Sequence, residues 1–189
     1  MRAKAPRVAL ALVHYPVKDR LGAVNATSVT PLNVHDLARS AATFGVEPFY
    51  VVTPLLSQQA LTKRILAHWQ DGYGGEQNPS RRESLEAVRL VSSVNEASED
   101  ILRLTGSYPR LAGTAAAGGE GSVDSVRLRE EIDSGGSPWL LLFGTGSGLT
   151  EEIIAQCDAL LDPIRGPAEF NHLSVRSAAA IILDRLFGK

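Results

Sequence analysis

Leu140-Leu-Leu-Phe-Gly-Thr-Gly-Ser-Gly-Leu149, Asp162-Pro-Ile-Arg-Gly166 and Asn171-His-Leu-Ser-Val-Arg-Ser-Ala-Ala-Ala-Ile-Ile-Leu183 form one cassette near the C-terminal end of the sequence. An apolar run with no polar break reads as a strand covered on both faces, as in a parallel sheet. It enters a glycine-rich turn. A second tight turn then leads into a helix of small residues. Glycine and alanine at such density let main chain approach something closely, either a ligand or more main chain.

Working outward, strand and helix patterns alternate. Residues 7–14 are a near-continuous apolar run ended by Pro16, the first strand. Residues 15–30 are polar and irregular. Thr30-Pro31 reads as an N-cap with proline at the first helical position. Val34, Leu37, Ala38 and Ala41 then recur at helical spacing up to a stop at Gly45. Further strands are predicted at 47–53, 88–91, 110–115, 139–143 and 159–161. Helices are predicted at 57–69 (Ser57 as cap), 81–87, 95–104, 122–132 and 174–187. The segment 71–80 (DGYGGEQNPS) reads as a mobile surface loop, and 71–82 as either a substrate clamp or solvent-exposed filler. Alternating strands and helices predict an α/β fold: a mostly parallel six-stranded sheet with helices on both faces. Ligands in such folds bind at the carboxyl ends of the strands. That places the turns after Phe143 and Leu161 at a natural site.

With 189 residues and 44% hydrophobic content, the chain is read as a single domain over 1–189 with a sizeable core. No apolar stretch is long enough to span a membrane. The basic 1–7 segment and the short run behind it do not make a signal peptide. The single cysteine, Cys157, excludes an internal disulfide and fits a reducing cytoplasm. It falls in a stretch read as helical, between Ile154 and Leu160, as a buried structural thiol or a nucleophile. The four histidines show no zinc-ligand spacing. A net charge of −2 argues against a protein that coats nucleic acid. The basic residues are nonetheless 15 Arg against 4 Lys, which suits bidentate phosphate contacts or reflects a GC-rich genome.

Gly144-Thr-Gly-Ser-Gly148 could offer backbone N–H groups to a ligand or be a plain tight turn. It is neither a nucleophile elbow nor a P-loop. A dinucleotide-binding loop belongs after a first strand, not a fifth. Asn33 and Arg39, six positions apart on the first helix, either line the mouth of a cleft or are ordinary surface residues. Asp36, three before Arg39, is a candidate partner for it. Ser174 is a good cap for the last helix.

Taken in order, Asn33…Arg39…Phe44-Gly45-Val46, Leu141-Leu-Phe-Gly-Thr-Gly-Ser-Gly-Leu149 and Ile164-Arg-Gly166…Asn171…Ser174-Val175…Ala178 resemble the three motifs of the SPOUT class of RNA methyltransferases. The similarity is to its TrmH-like branch, over most of the chain. The glutamate usual in the second motif is absent. One extra residue separates Asn171 from Ser174-Val175. The resemblance implies a C-terminal trefoil knot and a homodimer built on the first and last helices, with the alanine-lined face of 177–182 as packing surface. It implies S-adenosylmethionine as cofactor, held by Thr114, Ala115, Phe143, Gly144, Thr145, Gly146, Gly148, Leu149, Ile164, Gly166, Leu173, Ser174 and Ala178. It also implies methyl transfer to RNA (tRNA or rRNA), a ribose 2′-oxygen being one candidate acceptor, in the cytoplasm and away from membranes. Arg39, Asn33 and Asn171 are the expected catalytic residues. Lys18, Arg20, Arg165 and Arg176 are candidate phosphate contacts. A nucleotide-binding module and an RNA-binding scaffold without transfer are the competing readings.

Overall fold

The computed structural model describes residues 7–119 and 121–189. Residues 1–6, most of the basic leading segment, and Glu120 of the second glycine-rich turn lie outside the described residues.

Six strands form one sheet: β1 (Val8–Val13), β4 (Phe49–Val52), β5 (Val88–Val91), β6 (Arg110–Thr114), β7 (Trp139–Gly144) and β8 (Ala159–Leu161). The spatial order is β5-β4-β1-β7-β6-β8. Every neighbouring pair is parallel. β1 and β7 lie at the centre and are buried along nearly their whole length, which is why both read as unbroken apolar runs. A small antiparallel hairpin, β2 (Val17–Lys18) with β3 (Val24–Asn25), follows β1. It occupies the segment expected to be irregular.

Alternate residues of the strands feed two core layers. Leu10, Leu12, Val51, Leu141 and Phe143 pack under α1 (Pro31–Phe44), α2 (Leu56–Gln70), α4 (Pro79–Glu86), α6 (Ser125–Asp133) and α8 (Val175–Phe187). Ala9, Ala11, Val13, Leu140 and Leu142 pack under α5 (Val94–Thr105) and α7 (Glu151–Ala155). Helices therefore cover both faces, as expected. α1 forms where its cap places it: Thr30 Oγ1 accepts from Asn33 N at 3.2 Å, and Gly45 in the left-handed region closes the helix onto Ala41 and Ala42 carbonyls.

The structure corrects several expectations. The segment 71–80 is not a loop. It carries α3 (Tyr73–Gln77) and the start of α4, which is capped by Asn78 with Pro79 at its first position. Gly74 and Gly75 are buried because neighbours leave no room for a side chain. A Cβ on Gly74 would stand 2.6 Å from His68 Nε2 and 2.9 Å from the Trp69 ring. α2 begins at Leu56, so Ser57 lies inside it and caps nothing. α6 starts at Ser125 under an Asp124 cap, three residues later than expected. Cys157 follows α7 instead of lying within a helix. Its half-buried thiol donates to Ile153 O, and burial pushes its pKa up to about 11, so it is no nucleophile. Finally, Ala179 and Ile182 of the alanine-rich helix face the chain's own core.

Candidate functional site

The carboxyl ends of β7, β6 and β8 lie side by side, and the three connections leaving them make the site. Thr114 ties the floor together: its hydroxyl donates to Leu142 O at 2.9 Å, and Thr114 pairs in register with Leu161. Asn171 Nδ2 donates to Ala116 O at 3.0 Å, drawing the segment after β8 over the end of β6. Among the described residues its Oδ1 accepts nothing, so that oxygen points to no protein donor.

The two flanking connections differ. In the turn after β7, Thr145 N donates to Val13 O, Ser147 N to Lys18 O and Gly148 N to Thr145 O. The N–H groups expected to be open to a ligand are thus largely spent inside the protein. Phe143, Thr145 and Leu149 are buried, so they can reach a ligand only through main chain. Gly144 is required by the turn itself, since a Cβ there would lie 2.5 Å from Leu149 N and 2.7 Å from Gly148 C. After β8 the picture reverses. Across residues 163–173 no backbone N–H or C=O bonds to another protein group among the described residues. Polar main chain left without partners seeks water or a ligand. Ile164 is half-buried, and Leu173 and Phe170 are exposed on the same stretch, giving apolar surface beside the open main chain.

Ser174 Oγ is committed to capping α8, accepting from Ser177 N at 3.2 Å. Ala178 is half-buried in the first turns of that helix, and Gly166 is exposed with open space where a Cβ would go. α8 packs against α1, and Arg176 reaches Asp36 at 3.7 Å. Asp36 therefore pairs with Arg176 and not with Arg39. Arg39 stands exposed without an acidic partner among the described residues, and Asn33 is half-buried at the helix start. Of the expected phosphate contacts, Arg176 is engaged by Asp36, and Lys18 by Glu151 at 2.8 Å. Arg20 and Arg165 are exposed. A cleft of about 620 Å³ opens between Gly118, Asp162, Pro163, Arg165, Ile182 and Arg185. It touches the site's two loops but none of the residues expected to hold the cofactor.

Sequence reasoning missed His14. It directly follows β1 and is fully buried, with Nδ1 2.9 Å from Thr27 Oγ1; Thr27 Oγ1 contacts Thr145 Oγ1, which donates to Val13 O at 3.0 Å. A carbonyl can only accept, so Thr145 donates to it and Thr27 donates to Thr145. Thr27 must then accept from His14 Nδ1–H. This fixes the tautomer and leaves Nε2 unprotonated, buried and without a partner. Burial pushes the imidazole pKa down to about 4, so it is neutral near pH 7. The relay locks the glycine-rich turn to the hairpin and to β1. A polar residue closing a buried strand at its carboxyl end was the signal for it.

A parallel α/β sheet whose last strand runs into main chain without protein partners among the described residues has an end open to a ligand. Residues 7–188 match the model of a family described as SAM-dependent RNA methyltransferase, and the chain belongs to that family. The chain is 48% identical over 178 residues to a tRNA (guanine-N(1)-)-methyltransferase of Nitratidesulfovibrio vulgaris, with 94% of this chain and 41% of that protein covered. It thus spans about two fifths of that relative's length. Two solved structures share the fold. One is the SpoU methyltransferase AviRb from Streptomyces viridochromogenes in complex with AdoMet (TM-score 0.57, 19% identity, 98% of this chain and 58% of that one). The other was solved in work on 2-OH methylation of C/U34 on tRNA (TM-score 0.56, 23% identity, 95% and 93%).

Proposed function

We propose that this chain transfers the methyl group of S-adenosylmethionine to tRNA, with a ribose 2′-oxygen as acceptor. The observation that carries the reading is the run of unpaired main chain at 163–173, tied by Asn171 to Ala116 over the end of β6. Its donors, acceptors and apolar side chains suit a nucleoside with a charged amino-acid tail. Thr114, Ala115, Ile164, Gly166 and Leu173 would hold the cofactor, with the main chain of Gly144 and Gly146 as the opposite wall. A phosphate-binding nucleotide module is disfavoured because the glycine-rich turn has spent its N–H groups.

When bound, S-adenosylmethionine supplies a methyl group on a sulfonium already activated for displacement. The protein's part is orientation. Asn171 Oδ1 takes a donor from cofactor or substrate. Arg39 holds the acceptor's neighbouring phosphate, and its guanidinium charge favours negative charge growing on the attacking oxygen. Asn33 fixes a polar group at the start of α1. The bound cofactor would supply the methyl group to the hydroxyl oxygen, with S-adenosylhomocysteine as leaving group, and the hydroxyl proton would go to water. The guanine-N1 name of the 48%-identical relative does not carry over to the acceptor atom, because more than half of that protein lies outside the match. The work on 2-OH methylation favours the ribose oxygen.

Three further features belong to the same reading. β8 lies between β6 and residue 123: Val123 bridges Leu161, Val123 N donates to Leu160 O, and Asp162 N to Val123 O. The late strand is therefore flanked on one side by β6 and on the other by the segment that leaves it, an arrangement that supports a trefoil knot. A homodimer through the outer faces of α1 and α8 would cover Leu32, 62% exposed on α1. The site is reached in the cytoplasm, where tRNA resides. Calorimetry with S-adenosylmethionine tests the cofactor, and nucleoside mass spectrometry of tRNA treated with the protein tests the acceptor. No heat at millimolar ligand, or methylation on a base nitrogen, overturns the respective half.

A further inference from the structure

α1 carries more than Arg39 on its outward side. At 100° per residue, His35 and Arg39 lie within 40° of each other, and Asp36 lies 60° beyond Arg39 on the far side. Asp36 leans to α8 through Arg176. His35 leans the other way, to the last turn of α2: its ring meets Trp69 edge-on with centroids 5.2 Å apart. His68 meets the same indole edge-on at 5.0 Å. The Arg81 guanidinium from α4 covers one face of Trp69 at 4.8 Å, and the backbone of Gly74 closes in on the ring. Arg39 thus stands on a crest between the end of α8, where the proposed cofactor lies, and an aromatic–cationic cluster.

The cluster has no internal use for its charge. Among the described residues neither Arg39 nor Arg81 has an acidic partner. His35 Nδ1 is buried without a hydrogen bond. Burial lowers the His35 pKa, and Arg81, Arg39 and His68 oppose its protonation, with only Asp36 favouring it. Arg81 and Trp69 are both half-buried; a guanidinium stacked on an indole offers a plane on which a nucleobase stacks, and unpaired arginine beside it suits a phosphate. Gly74 and Gly75 let α3 press the indole into place, which explains why a segment of turn-like composition is held as helix.

We propose that the Trp69–Arg81 stack, with His35 and His68, is a subsite for the RNA nucleotide adjacent to the methylated one, its base lying on the guanidinium plane and its phosphate on Arg39. This rests on the reading of the chain as an RNA methyltransferase. The tryptophans make it measurable. Trp139 is 2% exposed in the sheet, so RNA-dependent emission changes report Trp69. Titration with unfractionated tRNA is expected to quench emission with the same midpoint as filter binding, and Trp69→Phe should abolish the signal. Arg81→Ala should weaken tRNA binding about tenfold, Arg81→Lys should recover little of it, and both should bind S-adenosylmethionine as the parent does. Thermal melts of each variant separate binding from folding. If tRNA binds without moving Trp69 emission, or if folded Arg81→Ala keeps parental affinity, the subsite is refuted while methyl transfer stands. Quenching and an Arg81 dependence without methyl transfer would keep the subsite and sink the transfer reading. Absence of RNA binding sinks both.

Discussion

The turn after β7 and the segment after β8 sit at the same edge of one sheet, yet they use their main chain in opposite ways. The first, 144–149, is glycine-rich and looks like a ligand cradle, but Val13, Lys18 and Thr145 carbonyls take its N–H groups. The second, 163–173, has two prolines and little pattern, and its main chain bonds to no protein group among the described residues. The contrast teaches that glycine marks close approach without saying to what. In the first region the close approach is to the protein itself, through the hairpin: a Cβ on Gly146 would stand 2.9 Å from Lys18 O. In the second, the unmet hydrogen-bonding capacity is what a ligand can fill.

Hydrogen exchange should show the contrast at its largest. Amides of Thr145, Ser147 and Gly148 should be protected with or without ligand. Those of 164–173 should exchange freely and gain protection of about a hundredfold or more when S-adenosylmethionine is added. Equal protection of both stretches in the free protein would erase the distinction.

Substitution at Gly144 probes the closed region. A methyl group has no space there, and the crowding atoms are backbone. Gly144→Ala should cost about 3 kcal/mol or more of stability, read by denaturant unfolding. Unchanged stability would show instead that the turn is not closed against the protein.

The relay that locks this turn gives a pH dependence. The His14 pKa falls from 6.5 unfolded to about 4 folded. As pH drops below about 6.5 the unfolded chain takes up a proton that the folded one refuses, so stability rises with pH across this window and is lost on acidification. The depression sets an upper limit of about 3 kcal/mol, spent by pH 4. Unfolding curves from pH 7 to 4 should show it, and His14→Gln should flatten that part of the slope. An unchanged slope in the variant would remove His14 from the relay.

How much of this was legible in advance follows the same division. Strands 88–91 and 159–161 were placed to the residue, and the caps at Thr30 and Ser174 stand where expected, because apolar runs and capping chemistry are local. The 71–80 segment was misread because its glycines answer to Trp69 and His68, partners supplied by another helix. The Gly144 turn was recognised as special, but the partners that consume its N–H groups come from β1 and the β2–β3 hairpin, more than a hundred residues away. The pairing of Asp36 with Arg176 rather than Arg39 is equally non-local. Which main chain stays unpaired is a property of the whole fold, and no short window carries it.

Gly166 offers the finest cut between the two regions. It is exposed, its φ does not lie in the left-handed region, and a Cβ there would meet nothing within 4 Å. Gly166→Ala should therefore leave stability within about 0.5 kcal/mol of the parent, unlike the same change at Gly144. If the main chain of 163–173 lies against the nucleoside, the added methyl group should still weaken S-adenosylmethionine binding about tenfold, some 1.4 kcal/mol. Calorimetry and thermal unfolding on the one variant give both values. Parental affinity would move the cofactor off this stretch. A large loss of stability would mean that the segment is packed against protein after all, and the difference between the two connections would disappear with it.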